Sequence, residues 1–171
     1  MLGAKELIKL FSDKRYNYDL HHHQALFTVE DSNNFRGQIK GSHSKNLFLK
    51  NKKNKFFLIS CEEFTNINLK RVSKFLCLGN VSFAGEEYLI NLLGVKPGSV
   101  TPFALLNNIE NNIDFYLDEK LYNSKFINFH PLTNTATITM KCSTFIEFMI
   151  ENNKKIHIFS PEEEVIVKTY G

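Results

Sequence analysis

The stretch Ser44-Lys45-Asn46-Leu47-Phe48-Leu49-Lys50 constrains the fold more than any other part of the chain. It reads as a strand, followed by the turn-rich Asn51-Lys52-Lys53-Asn54-Lys55 and a second apolar run, Phe56-Phe57-Leu58-Ile59. Alternation by two places Lys45, Leu47 and Leu49 on one face and Ser44, Asn46, Phe48 and Lys50 on the other. Leu47, Phe48 and Leu49 are apolar on both faces, so the strand is expected to be covered on both sides. Lys45 then lies in line with core leucines. Such a lysine sits either where the core opens into a pocket or at a strand end where it snorkels to water.

Regular elements are expected on both sides of this strand. Leu7, Leu10 and Phe11 give residues Leu2 to Asp13 a helical stripe. Ala25 to Val29 reads as a strand, and Glu30 to Phe35 as a short helix or loop over the pocket. Asn68 is placed to cap a helix carrying Leu69, Val72, Phe75 and Leu76 on one side. Val81 to Ala84 is a short strand, and Glu86 to Leu93 a helix stopped by Gly94. Ile113 to Leu117 and Phe126 to Phe129 read as strands, with Asp118 to Asn123 a turn or short helix between them. Thr135 to Met140 reads as the hairpin partner of the second. Thr144 and Glu147 form a capping-box pattern for a helix through Asn152. Lys155 to Phe159 is a last strand, and Glu162 to Gly171 reads as a loosely attached tail. Strands and helices interleave irregularly, which favours an α+β fold with a mixed, mostly antiparallel sheet. At 171 residues, with no long linker and no internal repeat, residues 1–171 are expected to form one domain.

Composition limits the function classes. Hydrophobic residues at 43% and charged residues at 23% are ordinary for a globular chain. A net charge of +3 permits a nucleic-acid partner without requiring one. No apolar run reaches the roughly 20 residues of a membrane span. The N-terminus has no secretory pattern, and Cys61, Cys77 and Cys142 are isolated, as expected of free thiols in the cytoplasm. His21-His22-His23 invites a metal reading, but consecutive residues point in different directions and no ligand spacing is present.

Four pieces carry candidate chemistry: Lys45-Asn46, the loop Gly98-Ser99-Val100-Thr101-Pro102, His130, and Asn134 with Ala136. Gly98 lets backbone approach a ligand closely, and Pro102 stiffens the exit. Backbone N–H groups of Ser99, Val100 and Thr101 could form an oxyanion site; the alternative is an ordinary connecting loop. His130, before Pro131, could orient a hydroxyl or a water, or simply bond to backbone. No nucleophile elbow or phosphate-binding loop is present, and Ser99 has no evident base.

The segments His23 to Glu30, Lys45 to Lys50, Leu93 to Leu105 and Phe129 to Thr137 occur in the order and spacing of the YbaK/prolyl-tRNA editing superfamily. Within it, Lys45-Asn46 and His130-Pro131-Leu132-Thr133-Asn134-Thr135-Ala136-Thr137 resemble the free-standing PrdX-like branch that clears alanine from proline tRNA. The resemblance spans residues 20 to 159. Gln24 stands where a proline is usual, and Ser44 where a threonine is common.

The resemblance implies a curved mixed sheet flanked by helices. It also implies hydrolysis of the ester joining a mischarged amino acid to the tRNA 3′ end, with no metal or organic cofactor. Lys45 would hold the terminal phosphate or ribose, Asn46 the amine or carbonyl region, the Gly98 loop the ester carbonyl, and His130 a ribose hydroxyl or water. Leu26, Phe27, Thr28, Val29, Val100 and Ala136, with Asn134, would line the amino-acid pocket. The implied partners are mischarged tRNA and prolyl-tRNA synthetase. A non-catalytic regulator that senses aminoacyl-tRNA and a cysteinyl-tRNA(Pro) deacylase are the competing readings.

Overall fold

The computed structural model describes residues 1–25, 35 and 37–171. The central strand, β2 (Ser42–Asn51), turns through Asn54 into β3 (Phe56–Glu62), and the two pair antiparallel from Ser44–Glu62 to Lys50–Phe56. The alternation predicted for β2 is what the fold uses. Phe48 faces one apolar cluster and Leu49 the other. Lys45, Leu47 and Leu49 therefore lie on the side covered by α2 (Leu69–Phe75), which contributes Val72 to the smaller cluster. Asn68 caps α2 by accepting from the Arg71 N–H at 3.2 Å, as its position in the sequence indicates.

The other strands are β1 (Asp19–His22), β4 (Val81–Phe83), β5 (Ile113–Asp118), β6 (Phe126–Phe129), β7 (Ala136–Lys141), β8 (Ile156–Ser160) and β9 (Val165–Tyr170). Among the described residues they form a mixed sheet in the order β1-β7-β6-β2-β3-β5-β8-β9, with β4 also on β2. Parallel pairs occur at β2–β6, β3–β5 and β5–β8, and the remaining pairs are antiparallel.

The larger cluster lies on the Phe48 side. Helix α1 (Ala4–Asp13) buries Leu7 and Phe11 there, one turn apart. Helix α5 (Cys142–Glu151) adds Phe145, Phe148 and Met149. Phe103 is fully buried at its centre, with Phe11, Phe129, Phe145 and Phe148 rings 5.4 to 5.9 Å away. It stands in the 3₁₀ turn Pro102–Asn107 and pins the preceding loop against the end of β6. The short helix α3 (Glu86–Tyr88) runs into a wide π turn, Leu89–Leu93, that ends at Gly94 with φ +67°.

The joint between β2 and β6 is narrow. Only Ser42–Ile127 and His43–Asn128 are paired. Asn128 reinforces it by donating its amide to the carbonyls of Lys40 (2.9 Å) and Ser42 (3.2 Å) and accepting from Thr139 Oγ1 (2.5 Å). Beyond Ser44, whose hydroxyl reaches the Asn128 carbonyl at 2.9 Å, β2 and β6 part.

Two sequence expectations fail. The segment Glu162 to Gly171 is not a loose tail: β9 pairs along β8 from Ser160–Val165 to Ile156–Tyr170, and the Tyr170 and Tyr122 hydroxyls lie 2.7 Å apart. Its β-branched Val165-Ile166-Val167 is the signal that the acidic run before it obscured. The second failure is the capping box at Thr144 and Glu147. Helix α5 starts at Cys142, whose N–H donates to the Lys125 carbonyl at 3.1 Å, so the first turn is held by backbone beside β6 and needs no side-chain cap. The short helix α4 (Glu119–Tyr122) fills the expected turn, capped by Asp118, and β1 was not foreseen in the histidine run. Among the described residues no helix is long and apolar enough to cross a membrane.

Candidate functional site

The site lies where β2 and β6 diverge. Directly paired strand residues share a face. Ile127, Phe129, Ile138 and Met140 belong to the larger cluster, and alternation along β7 turns buried Ala136 the same way. The opposite face of the same strands is polar, with Asn128, Thr137 and Thr139 buried on it. His43 pairs with Asn128, and His21 with Thr137. Lys45 is two residues beyond His43, and His130 two residues beyond Asn128. Alternation therefore sends both side chains to this polar face, one from each lip of the seam.

Lys45 is held from behind. Its ammonium donates to the Thr65 carbonyl, and Thr65 Oγ1 donates to Asp118 at 2.8 Å. Asp118 is fully buried and also accepts from the Glu62 and Lys120 N–H groups at 3.1 and 3.0 Å. Among the described residues this uses one of the three ammonium donors. Asn46 points the other way, as a consecutive strand residue must. Its oxygen accepts from Ser60 Oγ at 2.5 Å, and its amide nitrogen lies 3.4 Å from Ser44 Oγ.

His130 Nδ1 lies 2.8 Å from the Ala136 carbonyl. A carbonyl only accepts, so Nδ1 carries the proton and Nε2 is the basic nitrogen of the neutral ring. The His23 ring is 6.1 Å from it, centroid to centroid, with His23 Nε2 2.9 Å from Thr137 Oγ1. The sequence left His23 outside the candidate set; its neighbourhood arises from β1–β7 pairing, which nothing local announces. Thr65 and Asp118 escaped notice for the same reason.

The loop at Gly98–Pro102 approaches the turn between β6 and β7. Gly98 has φ +84°, and a Cβ there would lie 3.7 Å from the Asn134 amide nitrogen, so the glycine is required by backbone angle and not by crowding. The expected set of oxyanion donors needs one correction. The Ser99 N–H closes a turn onto the Lys96 carbonyl at 3.0 Å. Lys96-Pro97-Gly98-Ser99 is a type II turn pattern, and that signal was available in the sequence. The Val100 and Thr101 N–H groups have no acceptor among the described residues. Thr101 is 0% exposed, and its hydroxyl likewise has no partner among the described residues. A buried hydroxyl without a bond costs about 1–3 kcal/mol, which makes Thr101 Oγ1 a candidate ligand contact. Pro102 and Ala136 are buried, and Val100 and Asn134 half-buried. Leu26, Phe27, Thr28 and Val29 lie outside the described residues.

The cysteines stand apart from this chemistry. Burial first, then the Asp118 carboxylate, pushes the Cys61 thiol up, against an opposing pull from Lys45. Burial pushes Cys142 up to about 12, and Cys77 is exposed.

The sequence pattern of a family described as the aminoacyl-tRNA editing domain matches residues 23–148, which takes in Lys45, the Gly98 loop and His130. The chain belongs to that family. As an editing domain of the YbaK/prolyl-tRNA editing superfamily, it has curated relatives along most of its length. The prolyl-tRNA synthetase associated domain-containing protein 1 of Xenopus laevis is 37% identical over 132 residues, 74% of this chain and 78% of that protein. The prolyl-tRNA editing protein ProX of Acetoanaerobium sticklandii is 27% identical over 141 residues, 81% of this chain and 86% of that protein. A crystal structure of a candidate trans-editing enzyme for prolyl tRNA synthetase superposes with a TM-score of 0.68. It covers 94% of this editing domain and 97% of its own chain; at 15% identity it shows the fold alone.

Proposed function

We propose that this editing domain is a trans-acting hydrolase that cleaves the aminoacyl ester of mischarged proline tRNA, with alanyl ester as its substrate, in the cytoplasm. The observation that carries the proposal is the loop of Val100 and Thr101. Two backbone N–H groups and a buried hydroxyl there have no partner among the described residues, and the loop approaches Asn134 in the turn that follows His130. Such an array fits an acyl oxygen that gains negative charge as water attacks. Lys45, fixed through Thr65, supplies a positive charge for the terminal phosphate or ribose. The His130 Nε2 is the basic nitrogen for a ribose hydroxyl or the attacking water. Asn46 has an amide nitrogen to offer the amino-acid end. An aminoacyl ester is already activated, so positioning it and a water does most of what the reaction needs. The names of the relatives support proline tRNA and its synthetase as partners.

The amino acid follows from size. The proposed walls Val100 and Ala136 lie on the larger-cluster side of the sheet, as Asn46 does, and Leu26, Phe27 and Val29 are proposed to complete them. A rigid apolar pocket excludes a larger side chain by clash, whereas it rejects a smaller one by only about 1–3 kcal/mol per methylene. The pocket should therefore admit alanine and refuse the proline ring. The test is the ratio of hydrolysis rates on alanyl, seryl, cysteinyl and prolyl esters of one proline tRNA. Alanyl ester is expected to be cleaved fastest and prolyl ester to survive. Prolyl cleaved as fast as alanyl would sink the assignment, and cysteinyl cleaved best would make the protein a cysteinyl-tRNA(Pro) deacylase. Tight binding without cleavage would make it a regulator.

A further inference from the structure

The surface at the far end of β2 has a charge pattern that the hydrolytic site does not use. The β2–β3 turn carries Lys52, Lys53 and Lys55, all exposed. Facing it, α2 presents Lys70 and Lys74, four residues apart and so on one side of the helix. Between them, Cys77, Gly79 and Asn80 form the shared wall of two adjoining hollows of about 720 and 340 Å³. Lys70 and Lys74 line the larger hollow, and Lys52, Lys53 and Lys55 the smaller. None of these five lysines is in an ion pair among the described residues, whereas neighbouring Arg71 is bound to Glu164 at 2.7 Å. Asp114 is the one carboxylate lining either hollow.

Five lysines without an ion pair among the described residues, set around two adjoining hollows, repel one another and persist only where repulsion is cheap or a polyanion relieves it. The path to the site makes the second case. Lys45 is bonded to Thr65, just before α2, and α2 then runs on the Lys45 face of the sheet, carrying Lys70 and Lys74 towards the β2–β3 turn. Six residues of β2 separate Lys45 from Asn51, a span of about 20 Å at strand rise. A line of positive charge thus leads from the seam along one face.

We propose that this cleft seats the phosphate backbone of the tRNA whose acylated end occupies the seam. The inference rests on the hydrolase reading and names the surface by which that substrate is held at a distance from its ester. The lining favours nucleic acid over an acidic protein. The smaller hollow offers lysines, Asn51, Asn80 and the small Gly79 for close backbone approach, over buried Phe57 and Leu78; Leu69 and Val81 of the larger hollow are half-buried and flanked by Lys70 and Lys74.

The test uses uncharged proline tRNA and the quadruple variant Lys52→Ala, Lys53→Ala, Lys70→Ala, Lys74→Ala, with binding measured over a salt series. Lys5→Ala with Lys9→Ala on α1 is the control for net charge. The quadruple variant should bind at least about tenfold more weakly, with a log–log salt slope shallower by about two to four. Its single-turnover deacylation of saturating alanyl-tRNA should match the parent. Unchanged affinity and slope would overturn the cleft, as would an equal loss in the α1 control. So would retained tRNA binding with lost binding of polyglutamate. The two readings fail separately. A parent without deacylase activity whose quadruple variant still loses tRNA would keep the cleft and remove the hydrolase. An active parent with an unaffected variant would do the reverse.

Discussion

Lys45 and Thr101 carry the sharpest tests of the proposed ligand contacts. Among the described residues the Lys45 ammonium has one acceptor, the Thr65 carbonyl. Lys45→Ala should leave the fold intact and lower deacylation at least about tenfold, roughly 1.4 kcal/mol of transition-state stabilisation. Full activity in a folded variant would remove Lys45 from the site. Thr101 is the sharper case, because its buried hydroxyl has no partner among the described residues. Thr101→Val keeps the shape and removes the unmet polar group. It should raise the denaturant midpoint by an amount equivalent to about 1 kcal/mol while lowering kcat/KM about tenfold or more. A variant both more stable and equally active would show that the hydroxyl serves no ligand. Thr101→Ser should restore much of the rate.

At the scale of elements, β9 departs furthest from the sequence reading. It covers one edge of β8, whose Ile156, Ile158 and Phe159 are fully buried. Deleting residues 162–171 should cost about 2–4 kcal/mol in lost ladder bonds and newly exposed apolar surface, read as a lower urea midpoint with the spectrum of the fold retained. An unchanged midpoint would restore the picture of a tail. The contrast with β2 shows what a single sequence carries. Periodicity announces an element when its own residues decide its environment, as Leu47, Phe48 and Leu49 do, and Asn68 marks the start of α2 because the cap is local. Strand β1 and the start of α5 are decided by partners more than a hundred residues away or across a turn, at Thr137 and Lys125, and leave no local trace. The site divides in the same manner. Lys45, the Gly98 loop and His130 stand out from residue type and spacing; strand pairing puts Lys45 and His130 on one face, and the loop approaches Asn134. His23, Thr65 and Asp118, which orient or brace them, come from pairings that only the fold reveals.

The whole sheet is two ladders joined at two residue pairs. On one side, β2 pairs with β3 over seven positions; on the other, β6 pairs with β7 over four. Amides at the joint, Ser42 to Ser44 and Asn128 to Phe129, should exchange through openings of lower free energy than those of β2–β3. Native-state hydrogen exchange at several denaturant concentrations measures this, and equal free energies would mean that the joint opens only with the whole sheet. Binding of a non-hydrolysable alanyl-tRNA analogue should slow exchange at the joint first.

Gly41, immediately before the joint, has φ +89°, and a Cβ there would meet the Phe126 carbonyl oxygen at 2.5 Å. The two strands are therefore spaced by the absence of one methyl group. On the proposed function, the gap for the amino acid is set at its hinge as well as by its walls. A lineage could change which error it corrects by altering a residue that never meets the substrate, and two proteins with identical pockets could still police different mistakes.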